Sequence, residues 1–194
     1  DLLHDEINRL TLARSAGEGA LYYAAHLQLR LPAAEADPIS RGISVEREYF
    51  SAEQPGEPVT SARAGEVVTV RVTITAHQDI NYLVLEDPIP AGTEPVDTSL
   101  LTTSGTLQPP DLRPTYDPAW WWGWWYFDHT EMRDEQVNLY ADWLPRGTYV
   151  YTYQVRATVP GEFQTMPSHA YAFYFPEVFG RSAGTLFTVH PEGQ

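Results

Sequence analysis

From residue 136 onward the chain alternates apolar and polar side chains with a period of two, a pattern that suits half-buried β-strands. In Gln136–Trp143, the residues Val137, Leu139, Ala141 and Trp143 share one face, and Gln136, Asn138, Tyr140 and Asp142 take the other. In Thr148–Ala157, Tyr149, Tyr151, Tyr153 and Val155 oppose Val150, Thr152, Gln154 and Arg156. Between the two runs, Leu144-Pro145-Arg146-Gly147 puts Pro at the second turn position and Gly at the fourth, which suits a type I turn. The two runs are therefore expected to form an antiparallel hairpin. Val159-Pro160-Gly161 suits a type II turn, because Gly tolerates the positive φ there.

The same reading extends to the rest of the chain. Asp1–Thr11 fits either a short helix or a strand. Ala20–Leu31 reads as a strand with Tyr23, Ala25, Leu27, Leu29 and Leu31 on one face. Pro32–Arg41 has the composition of a linker, which places a boundary there and divides the chain into 1–40 and 41–194. Gly42–Phe50 looks like the first strand of the main domain. Ser51–Gly65 reads as a polar loop. Glu66–Ala76 has the cleanest alternation, with Val68, Val70, Val72 and Ile74 opposite Thr69, Arg71, Thr73 and Thr75. Tyr82–Glu86 is a further strand, and Thr93–Pro118 a long excursion. The segments Glu162–Thr165, Ala170–Phe175 and Thr185–Val189 complete the set. Short strands at turn-punctuated spacing argue an all-β, antiparallel sandwich. Its expected core is Val68, Val70, Val72, Ile74, Val84, Val137, Leu139, Tyr151, Tyr153 and Val155. The 16 prolines are spread too widely for long helices.

Charge and composition exclude several functions. A net charge of −14 should repel nucleic acid and anionic membranes. No apolar run is long enough to span a bilayer. The chain shows neither a basic-then-apolar leader nor an initiating Met, so it reads as a mature or excised piece. All 12 basic residues are Arg. The absence of Cys removes disulfides, thiol catalysis and thiolate metal sites.

The most prominent local motif is the aromatic run Trp120, Trp121, Trp122, Trp124, Trp125, Tyr126 and Phe127. Its planar rings suit a carbohydrate platform, a protein contact, or a segment folded back over the core. Neighbours on a strand alternate faces, so these rings cannot all point inward. Asp128, His129, Glu131, Arg133, Asp134 and Glu135 form a charged cluster that lacks calcium-loop spacing and reads as a solvated loop with Arg–carboxylate pairs. The His residues are scattered, with no HxH or HExxH to hold zinc. There is no GxSxG, and Ser168 and His169, adjacent on a strand, would face opposite ways. Gly180-Arg181-Ser182-Ala183-Gly184 lacks phosphate-loop spacing and reads as a bend before the last strand. No catalytic constellation, metal site or cofactor site stands out.

Four stretches carry a family resemblance. GALYYAAHLQL, RGISVEREYF, VLEDPIPAGTEPV and WWYFDHTEMRDEQVNLYADWLPRGTYVYTYQVRATVPGEFQTMPSHAYAFYFPEVFGRS, in that order from about Gly19 to Val189, resemble the C-terminal end of bacterial alpha-2-macroglobulin-like proteins. The resemblance implies a macroglobulin-like β-sandwich over 41–194, with 1–40 the returning segment of a CUB-like domain. It implies that the parent is a protease trap of the cell envelope, periplasmic or extracellular, whose internal Cys–Gln thioester captures the attacker. This piece has no Cys and cannot carry that chemistry. Its implied role is non-catalytic: docking on the thioester domain of the same parent and keeping the thioester dry, with target proteases as indirect partners. The residues implied for that contact are Tyr171, Phe173, Tyr174 and Phe175, together with Trp124, Trp125 and Tyr126. Tyr171, Phe173 and Phe175 share a face if they lie on one strand, which also fits plain core packing. Tyr174 takes the other face and is the better candidate to meet a partner. The alternative from another class is a carbohydrate-binding module built on the Trp cluster; a small hydrolase is a third.

Overall fold

The structure is a computed structural model that describes residues 9–26, 32–51, 56–96, 111–114 and 127–193, the backbone alone for 111–114. The chain divides into two compact units, Asp1–Arg30 and Leu31–Gln194. In the first unit, residues 9–26 contain no helix or strand and are exposed. The Arg14 guanidinium gathers the turn at Gly17-Glu18-Gly19 by donating to all three carbonyls. The strand expected over Ala20–Leu31 is therefore absent over 20–26, and residues 27–31 lie outside the described residues.

The second unit is a β-sandwich. Its strands are β1 (Ile39–Arg41), β2 (Ile43–Ser51), β3 (Ser61–Arg63), β4 (Val67–Ala76), β5 (Ile80–Pro88), β6 (Thr93–Pro95), β7 (Asp111–Pro114), β8 (His129–Met132), β9 (Gln136–Leu144), β10 (Gly147–Ala157), β11 (Gly161–Thr165), β12 (His169–Ala172), β13 (Phe175–Arg181) and β14 (Thr185–His190). One sheet has the order β1-β13-β12-β5-β9-β8. The second runs β2-β4-β10-β6, with β7 also paired to β10, and a small third sheet runs β11-β14-β3. Among the described residues the paired strands are antiparallel except for β14 with β3.

The alternation does what half-buried strands require. Val68, Val70, Val72 and Ile74 of β4 are completely buried, as are Leu139 of β9 and Val155 of β10. Each such aliphatic side chain contributes about 1.5–3 kcal/mol by leaving water. Tyr149, Tyr151 and Tyr153 also point inward, Tyr151 against Phe127 and Tyr153.

The expected hairpin between β9 and β10 does not form. β9 pairs with β5 and β8, and β10 with β4, β6 and β7, so the two runs face each other across the core from opposite sheets. Their inward faces are the expected ones, because the pattern specifies a buried face and not a neighbour. The turn chemistry explains the outcome: tight hairpins favour primed turns, whereas the unprimed turns that Pro prefers splay the strands. The corner is pinned by the Arg146 amide donating to Asp79 Oδ1 at 2.8 Å and the Tyr149 hydroxyl donating to the Pro145 carbonyl at 2.7 Å.

Residues expected to be a linker belong to the sandwich. Ala33–Glu35 form a short 3-10 helix and Ile39–Arg41 are β1. The Ala33 amide donates to Gln164 Oε1 at 2.7 Å, and the Gly184 amide to the Ala36 carbonyl at 2.9 Å. Gly42, at φ +87°, takes the chain from the six-stranded sheet into β2 of the second sheet. Beside that switch the expected bend at Gly180 is instead the end of β13, where a Cβ on Gly180 would stand 2.3 Å from the Ile43 carbonyl oxygen.

A buried polar network ties the two sheets together. Arg47 of β2 and Asp87 of β5 form a 2.8 Å ion pair with both side chains 1% exposed. Asp87 also accepts from the Tyr153 hydroxyl at 2.7 Å and the Ser168 hydroxyl at 2.6 Å. Arg47 further donates to the carbonyls of Pro88 at 2.8 Å and Met166 at 2.9 Å. Nothing in the local pattern signals this network, because its members are far apart in sequence. Burial, the largest influence, would lower the Arg47 pKa, but the Asp87 charge, the Tyr49 and Tyr153 phenols and the hydrogen bond to Asp87 together outweigh it and the net direction is upward. Tyr153 is pushed well up, first by burial and then by the Asp87 charge.

Candidate docking face

On β12 the inward positions are the small residues Ala170 and Ala172, so the strand packs closely while Tyr171 points outward. The chain turns immediately afterwards at Phe173 and Tyr174, and β13 returns. This turn interrupts the alternation expected for a single strand over Ala170–Phe175. Core packing is therefore not the role of these residues: Tyr171 is half-buried on the outer face, and Phe173, Tyr174 and Phe175 are 58%, 64% and 58% exposed.

The tip of the turn is held from β5. The Phe173 amide donates to the Tyr82 carbonyl at 2.8 Å. The rings of Tyr82 and Tyr174 meet edge-on, with centroids 5.1 Å apart and planes at 86°, and Tyr174 meets Phe173 in the same way at 5.2 Å. Tyr82 has φ +54°, the one positive φ outside glycine among the described residues. Alternation on β5 breaks there: Asn81 and Tyr82 are both exposed, while Ile80 and Leu83 are buried. Across the pair, Asp142 and Trp143 of β9 are likewise both exposed. Trp143, expected on the inward face, is consequently 55% exposed, and Leu144 fills the core in its place.

Strand register extends this surface across the six-stranded sheet. His129, Tyr140, Val84, Tyr171, Phe179 and Arg41 form one row over β8, β9, β5, β12, β13 and β1. His129 stacks on Tyr140 at 5.8 Å, and Arg41 lies 5.3 Å from the Phe179 ring centre. His169 lies between Tyr171 at 5.1 Å and Phe179 at 5.8 Å. Val84 is buried as expected, but within this outer row; Ile80, Leu83 and Leu85 are the hydrophobic β5 residues that enter the core. The Tyr171 phenol is raised by partial burial and then by the nearby Glu86 carboxylate, so it stays a neutral hydrogen-bonding group. Exposed apolar side chains such as Phe173, Tyr174 and Phe175, set beside a half-buried aromatic row, mark a contact surface, and Tyr and Trp are favoured anchors.

Trp124, Trp125 and Tyr126, also expected in the contact, lie outside the described residues, as does most of the aromatic run. The charged cluster after it is a surface network: Arg133 pairs with Glu131 at 2.8 Å, and Asp128 Oδ2 accepts from the Asp142 amide at 2.6 Å. Hydrogen bonds from Arg133 and then Asn138 lower the Glu131 pKa. Among the described residues no three His, Cys, Asp or Glu converge to hold a metal. Ser168 is buried against Asp87 while His169 faces out, so the two do not form a dyad. The structure does bring Ser44 Oγ within 2.9 Å of His77 Nε2, a pairing the sequence did not signal. Ser44 also bonds Ser40, and among the described residues His77 has no carboxylate to orient it, as a nucleophile–base pair needs.

Residues 42–177 match the family model described as Bacterial Alpha-2-macroglobulin MG10 domain. The chain belongs to this family. It is 29% identical over 196 residues to an alpha-2-macroglobulin homolog of Nostoc sp., covering 95% of this chain and 10% of that protein. It is 28% identical over 137 residues to an alpha-2-macroglobulin of Pasteurella multocida, covering 70% of this chain and 6% of that protein. Among solved structures, Salmonella alpha-2-macroglobulin reacted with methylamine matches with TM-score 0.60 and 24% identity, over 80% of this chain and 10% of that one. Escherichia coli alpha-2-macroglobulin activated by porcine elastase matches with TM-score 0.64 and 19% identity, over 80% of this chain and 14% of that one. The chain thus spans only 6–14% of the length of these relatives. Among the described residues no helix is long and apolar enough to cross a membrane.

Proposed function

We propose that this MG10 domain is the non-catalytic closing module of a bacterial alpha-2-macroglobulin-like protease inhibitor of the cell envelope. In this reading it docks on the thioester domain of its own parent through the β12–β13 turn and shields the bond from water and small amines. The observation that carries the reading is the exposed Phe173-Tyr174-Phe175 turn, braced by Tyr82 and set on an aromatic outer sheet face in a chain of this family. An acyl thioester survives only where water is excluded, and planar aromatic side chains exclude it at little conformational cost. The chain lacks Cys, so it can guard such a bond but not form one.

The test compares hydrogen exchange in the intact parent with exchange in this 194-residue chain. Docking predicts slower exchange at the Tyr174 and Phe175 amides in the parent, and recovery of the faster rate once methylamine has opened the thioester. Equal exchange in all three states would remove the docking role from this turn.

A further inference from the structure

We propose that Tyr82 is a positioning residue for Tyr174, its ring bracing the Tyr174 ring and its left-handed backbone carrying the carbonyl that holds the turn. The inference rests on the docking reading above and deepens it. A non-glycine residue at φ +54° in the middle of a strand is uncommon, because Cβ crowds the backbone there. Such a conformation persists only where its surroundings over-determine it. Tyr82 is held on β5 between residues that are paired: β9 pairs Asn81 and Leu83 on either side of it, and β12 pairs β5 from Leu83 onward. Its placement has two consequences, both directed at the turn. Regular alternation already sets Tyr82 on the outer face with Val84, and there its ring meets Tyr174 edge-on at 5.1 Å, while the left-handed residue ends the alternation so that Asn81 is exposed as well. Its carbonyl accepts the Phe173 amide at 2.8 Å, which ties the tip of the turn to the central strand.

Neither consequence serves the core. The Tyr82 ring is 49% exposed and Tyr174 is 64% exposed, so their contact holds one exposed ring against another. A two-residue turn standing alone would let Tyr174 sample its rotamers; the Tyr82 ring selects one of them. Phe173 closes the opposite flank, at 5.2 Å and 86°. Tyr174 is thus presented in a fixed direction before any partner arrives, which reduces the ordering cost of binding.

The test uses Tyr82→Gly and Tyr82→Phe. Glycine accepts φ +54° without strain, so Tyr82→Gly removes the ring and spares the backbone. Tyr82→Phe keeps the ring and removes only the hydroxyl. The first readout is NMR of this chain. In the unmutated chain and in Tyr82→Phe, the Tyr174 ring protons should show ring-current shifts and one dominant rotamer. In Tyr82→Gly they should move towards free-tyrosine values, with the favoured rotamer depleted about two- to twelvefold relative to the others. Unchanged Tyr174 shifts in Tyr82→Gly would overturn the positioning claim whatever the domain docks to.

The second readout is thioester loss to methylamine in the parent. Tyr82→Gly should accelerate it in the same direction as Tyr174→Ala, Tyr82→Phe should leave it unchanged, and the double variant should be no faster than Tyr174→Ala alone. Acceleration by Tyr174→Ala without acceleration by Tyr82→Gly would sink the positioning role and leave docking standing. No acceleration by Tyr174→Ala would sink the docking reading itself, and the NMR result would then decide the positioning claim separately.

Discussion

Replacing Asp87 by Asn should be among the most damaging conservative changes in this domain. The substitution keeps the shape and one acceptor oxygen but removes the charge opposite Arg47, which sits 2.8 Å away with both side chains 1% exposed. Breaking a buried pair from one side leaves an uncompensated charge and costs about 3–5 kcal/mol. The Tyr153 and Ser168 hydroxyls also lose the charged half of their bonds. Against a total stability of about 5–15 kcal/mol for a domain, this is a large fraction. Urea unfolding of this chain, followed by tyrosine and tryptophan fluorescence, measures it. A cycle with Arg47→Met tests the mechanism. Once the cation is gone the Asp87 charge has less to do, so the double variant should be more stable than the sum of the singles by about 1–3 kcal/mol. A cost below about 1 kcal/mol for Asp87→Asn, or strict additivity, would mean that the pair is not the interaction that joins the sheets.

Other outcomes follow from the same structure. Burial, above all, raises Tyr49 and Tyr151 to about 12 each, against about 10 in the unfolded chain. A phenol raised in this way contributes its full stability below pH about 10 and loses it as pH climbs towards about 12, at about 3 kcal/mol per phenol. Alkaline unfolding followed by circular dichroism should therefore coincide with ionisation of these two phenols in that window, read by site-resolved NMR apart from the exposed tyrosines; ionisation of Tyr49 and Tyr151 near pH 10 with the fold intact would contradict the burial. Gly180→Ala puts a methyl 2.3 Å from the Ile43 carbonyl oxygen and should destabilise the chain by at least about 1–3 kcal/mol in the same urea assay. Arg133→Ala removes a surface partner of Glu131 and should leave the melting temperature unchanged, because exposed pairs contribute little.

The strands were legible because their physics is local. β2, β4, β5, β9, β10, β11 and β14 each overlap a run expected to be a strand, with ends that differ by no more than two residues, and the inward residues of β4 and β10 are the expected ones. Sheet membership was not legible, because alternation reports a buried face and not a partner strand. The β9–β10 turn shows this, and its Pro145 was the unused signal, since Pro favours a turn that splays strands. Ala33–Arg41 looked like a linker because its contacts, to Gln164 and Gly184, come from the far end of the chain. The Arg47–Asp87 network was invisible for the same reason: it joins residues 40 positions apart and carries no motif. Tyr171, Phe173 and Phe175 were ambiguous between core and surface. The Phe173-Tyr174 turn that resolves them lacks Gly, Pro, Asn and Asp, the residues by which a turn is read from sequence. Tyr82 is the sharpest case, because nothing in NYLVLED announces a left-handed residue in a central strand.

Thioester loss in the intact parent decides whether this domain shields the bond. Purified parent with Tyr174→Ala is compared with the unmutated protein for consumption of the thioester by methylamine, with melting temperatures matched. Loss is expected to be faster in the variant, because a ring that is 64% exposed in this domain would be covering the bond in the assembled protein. Identical rates, with the domain folded, would contradict it and leave the aromatic face of the six-stranded sheet serving some other partner.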